Sequence, residues 1–168
     1  IMAMANAKVV RRSAALLAEQ NEGYGKNFIY KEHAYYSNIV SAYLGTLSWV
    51  LIGLAVFTPL KKIIRPFLKK PGQGPDQKVM DEGFFKCKLM VTGENDVKKI
   101  YVVSGQGDPG YKITSKLVCE SALSLLGDES NLPGGQKYGG ILTVSSGLGE
   151  VLISRLQKAG ISFASEKK

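Results

Sequence analysis

The pattern of apolar and polar positions changes character three times along the chain. Residues 7–20 place apolar side chains on one side of a predicted helix, and residues 23–31 predict a glycine-containing loop. Residues 34–60 then contain no charged side chain. After a linker or turn at residues 71–75, "PGQGP", short apolar runs separated by turn residues predict a soluble α+β unit.

The uncharged stretch is long enough to cross a membrane. Residues 39–60 would form a helix of about 33 Å, and the hydrocarbon core of a bilayer is about 30 Å thick. The alternative is a helix buried in a protein core. A core helix of a small domain rarely runs this long without a polar face. We therefore predict a hydrophobic, membrane-associating helical segment.

Basic residues follow this segment directly and are interspersed with apolar ones in "KKIIRPFLKKPGQGP". This mixture favours the surface of a membrane or lipid droplet that contains anionic lipid. The net charge of +8 also permits nucleic acid, but no nucleic-acid-binding signature is present, so nucleic acid is not an expected partner. The predicted membrane-contacting residues are Tyr43, Leu47, Trp49, Val50, Leu51, Ile52, Leu54, Phe57, Lys61, Lys62, Arg65, Lys69 and Lys70.

The C-terminal unit has the predicted order β-β-α-β-α-β. Strands at residues 83–91 and 97–104 form a hairpin around the turn "TGEND", and shorter strands follow at 141–144 and 161–164. Helices are predicted from a cap at Thr114 or Ser115 to about residue 126, and at 148–159 with Ser146 as cap. Both helices should pack on one face of a mainly antiparallel sheet. The side chains expected to be buried there are Leu117, Val118, Leu125, Leu152 and Leu156.

Few residue types suited to catalysis or metal binding are present. Cys87 and Cys119 form no C-x-x-C pair, and two buried, reduced thiols are expected rather than a disulfide. His33 is the only histidine and lies in a polar run, so a metal site is not expected. Motifs of zinc proteases, P-loop NTPases and α/β-hydrolases do not occur.

Three glycines resemble a dinucleotide-binding turn. Gly105, Gly107 and Gly110 have the spacing G-x-G-x-x-G in "YVVSGQGDPGY", between a predicted strand and a predicted helix. In a true fingerprint the helix opens within the motif, so that its N-terminus meets the pyrophosphate. Here the predicted helix starts about four residues after Gly110, and no strand ends in an acidic residue about 20 positions later. We therefore predict a structural turn and no cofactor site in this chain.

The same region resembles the C-terminal end of the saccharopine dehydrogenase-like oxidoreductases. The residues that carry the resemblance are "GDPGYKITSKLVCESALSLL" and "LPGGQKYGGILTVSSGLGEVLISRLQKAGISF", with "VVRRS" and "GQGPDQKVMDEGFFKCKLMVTG" in the same order upstream. That family includes the bacterial trans-acting enoyl reductases, which act in lipid synthesis. The family-motif turn comprises Gly107, Asp108, Pro109, Gly110 and Tyr111.

The resemblance implies a longer protein. Family members carry an N-terminal nucleotide-binding Rossmann domain, and nothing in this chain matches it. The chain begins with Ile1 and shows no signal-peptide pattern, as expected of the interior of a longer protein. The resemblance therefore implies NAD(P) for the full-length protein and the missing Rossmann part as a partner. It supplies no catalytic residue that maps onto this sequence, and a homodimer is left open.

The resemblance also divides the chain and constrains its topology. Residues 1–33 are expected to be a remnant of the preceding domain, 34–70 the anchoring segment with its basic flank, and 71–168 the C-terminal α+β domain. Because the C-terminal strands should complete a sheet on the same side of the membrane as the N-terminal part, insertion into one leaflet is favoured over a true span. Pro59 and Pro66 could provide the bends.

Two functions from different classes remain in competition. The first is the membrane-associated part of an NAD(P)-dependent oxidoreductase that acts on a lipid or lipid-like substrate, with the hydride chemistry in the missing domain. The second is a non-enzymatic membrane or lipid-droplet scaffold derived from that family. Both predict an intracellular location at a lipid droplet or a mitochondrial membrane.

Overall fold

The computed structural model describes residues 2–59, 62, 65–67, 72–127, 129–135 and 138–166. Within them the chain forms two compact units. Residues 31–74 form one unit, which contains the uncharged stretch, and residues 2–30 together with 75–168 form an α+β unit. The helices are α1 (Met2–Glu19), α2 (Ile39–Phe57), α3 (Gln77–Glu82), α4 (Lys112–Gly127) and α5 (Val144–Lys158), and the strands are β1 (Phe84–Thr92), β2 (Lys98–Gln106) and β3 (Ser162–Glu166).

A three-stranded antiparallel sheet in the order β1-β2-β3 forms one layer of the α+β unit. The β1–β2 register runs from Phe84 opposite Gln106 to Thr92 opposite Lys98, which confirms the predicted hairpin. On one sheet face, Lys88 Nζ lies 3.0 Å from Glu166 Oε1, so an ion pair joins the two outer strands across β2. The opposite face carries Phe85, Val103 and Phe163 and packs against the helices.

The hydrophobic core lies between this sheet face and α4 and α5. Its buried residues are Ile113, Leu148, Leu152, Leu156 and Ile161. The predicted burial of the two α5 leucines is therefore confirmed, as is the packing of both helices on one side of an antiparallel sheet.

The predicted strand at residues 141–144 is wrong. Thr143 and Ser146 form a reciprocal capping box, so Val144 becomes the first residue of α5 rather than the end of a strand. Ile141 is 91% exposed and has no neighbouring strand to pair with. The order after α3 is therefore β-β-α-α-β, and α5 starts four residues earlier than predicted, with a kink at Gly149 (φ 45°).

The buried face predicted for α4 is also wrong. Val118 is 62% and Leu125 53% exposed, and Leu117 is half-buried. Two contacts set the rotation of the helix: Arg155 Nε donates to Glu120 Oε2 at 3.0 Å, and Lys116 Nζ donates to the Ala159 carbonyl at 2.6 Å. With those groups turned inward, Val118 and Leu125 lie on the outer side.

The cysteines are free thiols, but the prediction that they are buried is wrong. Cys87 and Cys119 are both exposed. Around the axis of α4, Val118 lies about 140° and Cys119 about 240° from the buried Ile113, so both are on the side of the helix that faces away from the core.

Helix α1 belongs to the α+β unit and docks on the N-terminal end of α5. Leu16 and Leu17 are buried, and the buried Ser13 hydroxyl lies 2.7 Å from Thr143 Oγ1. The same Thr143 side chain accepts from the Ser146 backbone N–H at 3.5 Å. One residue therefore caps α5 and holds α1.

Substituting Thr143→Ala should reduce the free energy of unfolding by about 1–2 kcal/mol, because it removes a helix cap and the contact with Ser13. Chemical unfolding of the chain in a mild detergent measures this. Ser154→Ala, at an exposed position of α5, is the matched control and should change stability much less. Equal stability of the two variants would show that the hydroxyl cluster does not hold α1.

Candidate functional site

Helix α2 is apolar on every side. It has 19 residues, a mean hydropathy of 2.0 and no buried residue. Its length is about 29 Å, close to the thickness of a hydrocarbon core. By length and composition it is the one helix of the described residues that could cross a membrane.

The serine and threonine side chains of α2 donate to backbone carbonyls of the helix or of its N-cap residue. Thr46 Oγ1 donates to the Ala42 carbonyl and Ser48 Oγ to the Leu44 carbonyl, both at 2.8 Å. Ser41 Oγ donates to the carbonyl of Asn38 at 2.8 Å. Polar groups in a hydrocarbon environment need internal partners, and these hydroxyls have them.

Both ends of α2 are closed by defined contacts. Asn38 Oδ1 accepts from the Ser41 backbone N–H at 2.8 Å, which caps the N-terminus. At the other end, the Thr58 hydroxyl donates to the Leu54 carbonyl at 2.6 Å. The Tyr36 ring lies against Gly45 so closely that a Cβ on this glycine would be 2.5 Å from a ring carbon. The chain before α2 therefore folds back along its second turn.

The predicted membrane-contacting side chains on α2 are all exposed, between 52% for Val50 and 91% for Phe57. They surround the helix rather than forming one stripe, which differs from an amphipathic helix that lies in the membrane plane. Of the predicted basic flank, Lys62 and Arg65 are exposed. Lys61, Lys69 and Lys70 lie outside the described residues. Contact with lipid stays a prediction.

The glycine turn of the α+β unit, residues 105–110, forms backbone hydrogen bonds with the end of α3. The Gly107 N–H donates to the Gly83 carbonyl at 2.6 Å, and the Asp108 N–H to the Met80 carbonyl at 2.9 Å. These two donors are therefore already used within the protein. A phosphate-binding turn needs such donors free to point at its ligand.

The N-terminus of α4 is occupied by a carboxylate of the chain itself. Asp108 Oδ2 accepts from the Tyr111 N–H at 2.7 Å, and the Asp108 carbonyl accepts from the Ile113 N–H at 2.9 Å. Negative charge is stabilised at this end of a helix, and here Asp108 supplies it. A pyrophosphate at this place would compete with that carboxylate.

Two of the three glycines have a clear steric reason. Gly107 has φ +122°, which L side chains rarely adopt, and it lies between β2 and α4. A Cβ on Gly105 would lie 2.7 Å from a Phe85 ring carbon and 2.8 Å from Ile161 Cδ1. Close packing and a tight turn therefore account for them. The helix begins two residues after Gly110, not four as predicted, so that part of the sequence argument was wrong.

An ion pair next to this turn joins α3 to the first residue of α4. Lys112 Nζ lies 2.5 Å from Asp81 Oδ1, and Gln77 Nε2 donates to Asp81 Oδ2 at 3.1 Å. The hydrogen bond from Lys112, followed by that from Gln77, holds the pKa of Asp81 below its ordinary value of 3.8. The Asp81 carbonyl also accepts from Gln106 Nε2 at 3.2 Å.

The sequence analysis did not predict the ion pair between Asp81 and Lys112 or the cluster of hydroxyl groups around Thr143. The spacing T-x-x-S at Thr143–Ser146 is a recognisable cap signal, but it was overridden by the apolar run "ILTV". The partnership of Asp81 with Lys112 joins positions 31 residues apart and has no local sequence signal.

Other candidate chemistry in the described residues is sparse. No three His, Cys, Asp or Glu side chains there could hold a metal ion. A shallow depression of about 360 Å³ lies where β1 begins and β2 ends, and Lys86 is its one charged lining residue. The lining residues are Phe84, Phe85, Lys86, Ser104, Gly105, Gln106, Gly160 and Ser162. This set contains no acid–base pair or activated nucleophile.

Comparison with known proteins shows homology along nearly the whole chain to proteins named as enoyl reductases. A Mycobacterium tuberculosis protein named "Putative trans-acting enoyl reductase" is 31% identical over 171 residues, which covers 97% of this chain and 39% of the relative. Trans-acting enoyl reductases of Mycobacterium ulcerans and Mycobacterium leprae are 30% and 28% identical over 93% and 96% of the chain, covering 38% and 39% of those proteins.

The chain thus spans about two-fifths of the length of these relatives. No protein-family model matches it, and no solved structure matches it. The homology supports the predicted kinship with oxidoreductases that include the enoyl reductases. Membership of the wider saccharopine dehydrogenase-like family stays a prediction.

The ion pair between Asp81 and Lys112 should make the stability of the protein depend on pH in a specific way. Since the pKa of Asp81 is lower in the folded protein than in the unfolded chain, its contribution to stability is present above pH 3.8 and is lost as the pH falls through the folded-state pKa. The stability difference between the wild type and Asp81→Asn should therefore be largest near neutral pH and vanish in acid. Thermal unfolding between pH 3 and pH 7 measures it.

Glu22→Gln is the matched control, because Glu22 is an exposed loop residue of the same unit. Its difference from the wild type should not follow the same pH course. An Asp81→Asn difference that stays constant over this pH range would contradict the proposed role of the ion pair.

Proposed function

We propose that this chain is the C-terminal, membrane-associated part of a saccharopine dehydrogenase-like, NAD(P)-dependent oxidoreductase that acts on a lipid or lipid-like substrate. The observation that carries the proposal is its similarity to trans-acting enoyl reductases over 97% of the chain, together with a coverage of only 39% of the relative. Similarity at this level along a continuous stretch indicates a shared fold for the matched part. The remaining part of a longer protein would supply the nucleotide-binding Rossmann domain.

The chemistry that the relatives' name implies is a reduction. Reduction of an enoyl group adds a hydride and a proton across a carbon–carbon double bond, and NAD(P)H is a common donor of that hydride. In the matched part, the glycine turn is engaged with α3 and its helix N-terminus is capped by Asp108. This supports a location of the nucleotide outside the chain.

Helix α2 supports the membrane association. Its apolar surface runs all around the helix, its hydroxyls bond internally, and the basic residues Lys62 and Arg65 follow it. Transfer of such a helix from water into lipid is favourable, by roughly 25 cal/mol per Å² of apolar area removed from water. An enzyme with a lipid substrate gains from being held at the surface where that substrate resides.

The length of α2 bears on the topology. To remain within one leaflet of about 15 Å, a helix of about 29 Å must tilt by about 60° from the membrane normal. A lipid droplet has an oil core beneath a single leaflet, so the same helix could enter it without such a tilt. We therefore propose single-leaflet insertion at a lipid-droplet surface, with a mitochondrial membrane as the second location.

The second candidate function is a non-enzymatic scaffold at such a surface. It is favoured by the lining of the depression between β1 and β2, in which no acid–base pair or activated nucleophile is present. In that case the protein would retain the membrane anchor and the α+β unit but would not carry out hydride transfer. The two functions differ in whether the complete protein binds NAD(P)H.

The first prediction of this proposal concerns the nucleotide. The complete polypeptide isolated from its source should bind NAD(P)H in a fluorescence titration and oxidise it in the presence of a 2-enoyl thioester. The 168-residue chain should show no saturable binding, because its turn donors are already used. Micromolar binding by this chain that Gly107→Val abolishes would refute our interpretation of the glycines, and a complete polypeptide without binding would favour the scaffold.

The second prediction concerns the anchor. Deleting residues 39–57 should move the chain from floating vesicles to the soluble fraction in a density-gradient assay, while the circular dichroism of the α+β unit is retained. Replacing Lys62 and Arg65 by Gln should weaken binding chiefly on anionic vesicles at low salt, since charge attraction is worth about 1 kcal/mol per residue and is screened.

Labels at Tyr24 and Lys78 of the same preparation test the topology. Single-leaflet insertion places both on the same side of a sealed vesicle, whereas a span protects one of them. If the deletion instead unfolds the α+β unit without changing flotation, α2 is a core helix and the anchor proposal is wrong.

A further inference from the structure

Helix α4 carries a second apolar face directly opposite the core. Its members, named here the outer face of α4, are Val118, Cys119, Ala122, Leu123, Leu125 and Leu126. Leu126 is 80% exposed, Val118 62% and Leu125 53%. No charged residue of α4 after Lys116 points outward, because Glu120 is bonded to Arg155 on the inner side.

The exposure of this face is fixed by the contacts on the other side of the helix. Ile113 is 3% and Ser124 0% exposed, so both are packed inward. Turning α4 to bury its leucines would bring these residues into solvent and separate Glu120 from Arg155. The α+β unit therefore has no rotation of α4 that hides the outer face.

A surface helix normally turns charged or polar residues outward. On this side of α4 no charged residue follows Lys116, and the large apolar side chains are left in water. We infer that the outer face of α4 is a docking surface for the part of the polypeptide that the longer relatives carry outside the matched region.

The length of the relatives favours that occupant. They are about two and a half times as long as the matched part, since the chain covers 39% of their length. A covalently attached domain is present at a high effective concentration, so a small apolar contact is enough to hold it. The inference rests on the proposed function only in taking the chain to be part of a longer protein.

A second copy of the chain fits the surface less well. The outer face covers residues 118–126 of one helix, a strip about 14 Å long and about 10 Å wide. This is well below the ~800 Å² per partner of an ordinary stable interface between separate proteins. The face is therefore large enough for intramolecular docking but small for a dimer.

A lipid surface also fits less well. Helices that lie in a membrane interface carry free basic residues along their flanks. The lysines that flank this face are engaged within the α+β unit: Lys112 pairs with Asp81, and Lys116 donates to the Ala159 carbonyl. A protein partner is thus favoured over a membrane for this helix.

Cys119 provides a probe within the face, because its thiol is exposed. The experiment compares the rate of maleimide labelling of Cys119, read by mass spectrometry of its peptide, in the 168-residue chain and in the complete polypeptide of the source. We expect labelling at least tenfold slower in the complete polypeptide. Protection must be independent of protein concentration and of added vesicles.

A variant of the complete polypeptide tests whether the face itself makes the contact. Leu125→Lys should restore labelling of Cys119 towards the rate of the 168-residue chain, while the control Ser154→Lys on α5 should not. In the 168-residue chain, Leu125→Lys should leave the melting temperature unchanged, because Leu125 is already half in solvent. This comparison establishes that the variant folds.

Four results would overturn the inference. They are equal labelling rates in both proteins, concentration-dependent protection in the 168-residue chain (a second copy), protection that appears only with vesicles, and a native polypeptide no longer than this chain. Loss of NAD(P)H binding by the complete polypeptide would defeat the proposed function but leave protection of Cys119 intact. The two failures are therefore distinguishable.

Discussion

The chain has more apolar helix surface than its own core can cover, and this constraint shapes both of its units. The cluster between the sheet and the two helices consists of Ile113, Leu148, Leu152, Leu156 and Ile161, and Leu16, Leu17 and Val102 are buried elsewhere in the α+β unit. In contrast, α2 has no buried residue, and α4 has apolar residues on its outer side as well as its inner side. The apolar surface of α2 runs all around the helix, which is the pattern of a helix surrounded by lipid. The second apolar face of α4 lies opposite the core, which is the pattern of a helix packed between two parts of a protein.

The turn that most resembles a cofactor site has a structural task. The backbone of Gly107 and Asp108 holds the end of α3, the Asp108 carboxylate caps α4, and Lys112 reaches back to Asp81. Three elements meet at these few residues. Their donors and charges are satisfied by the chain, which is why we propose that the hydride chemistry belongs to a different part of a longer protein.

The sequence predicted those elements whose signals are local. The hairpin followed from an alternating run before "TGEND" and a β-branched run after it, and α2 from its uncharged length. The rotation of α4 could not be predicted, because both of its faces are apolar and only the long-range partners of Lys116 and Glu120 select one. The false strand at 141–144 arose because its apolar run outweighed the cap signal of Thr143 and Ser146.

The candidate site, like the fold, could be predicted only in part. The structural role of Gly105 and Gly107 was expected from the weakness of the motif, but the contacts with Phe85, Ile161 and Gly83 that explain it join residues 20 or more positions apart. The exposed cysteines could not be foreseen, since thiols are usually buried. Cys87 is exposed although it shares a sheet face with Phe85 and Val103, and only the tertiary structure shows which parts of that face the helices leave uncovered.

We propose that this chain is the lipid-associated part of a longer oxidoreductase. The most direct measurement is the length of the polypeptide that carries residues 144–158 in the floating lipid fraction of source cells, determined by intact mass. The account predicts a polypeptide about two and a half times as long as this chain, by comparison with its relatives. A polypeptide of this chain's own length, or one confined to the soluble fraction, would contradict it.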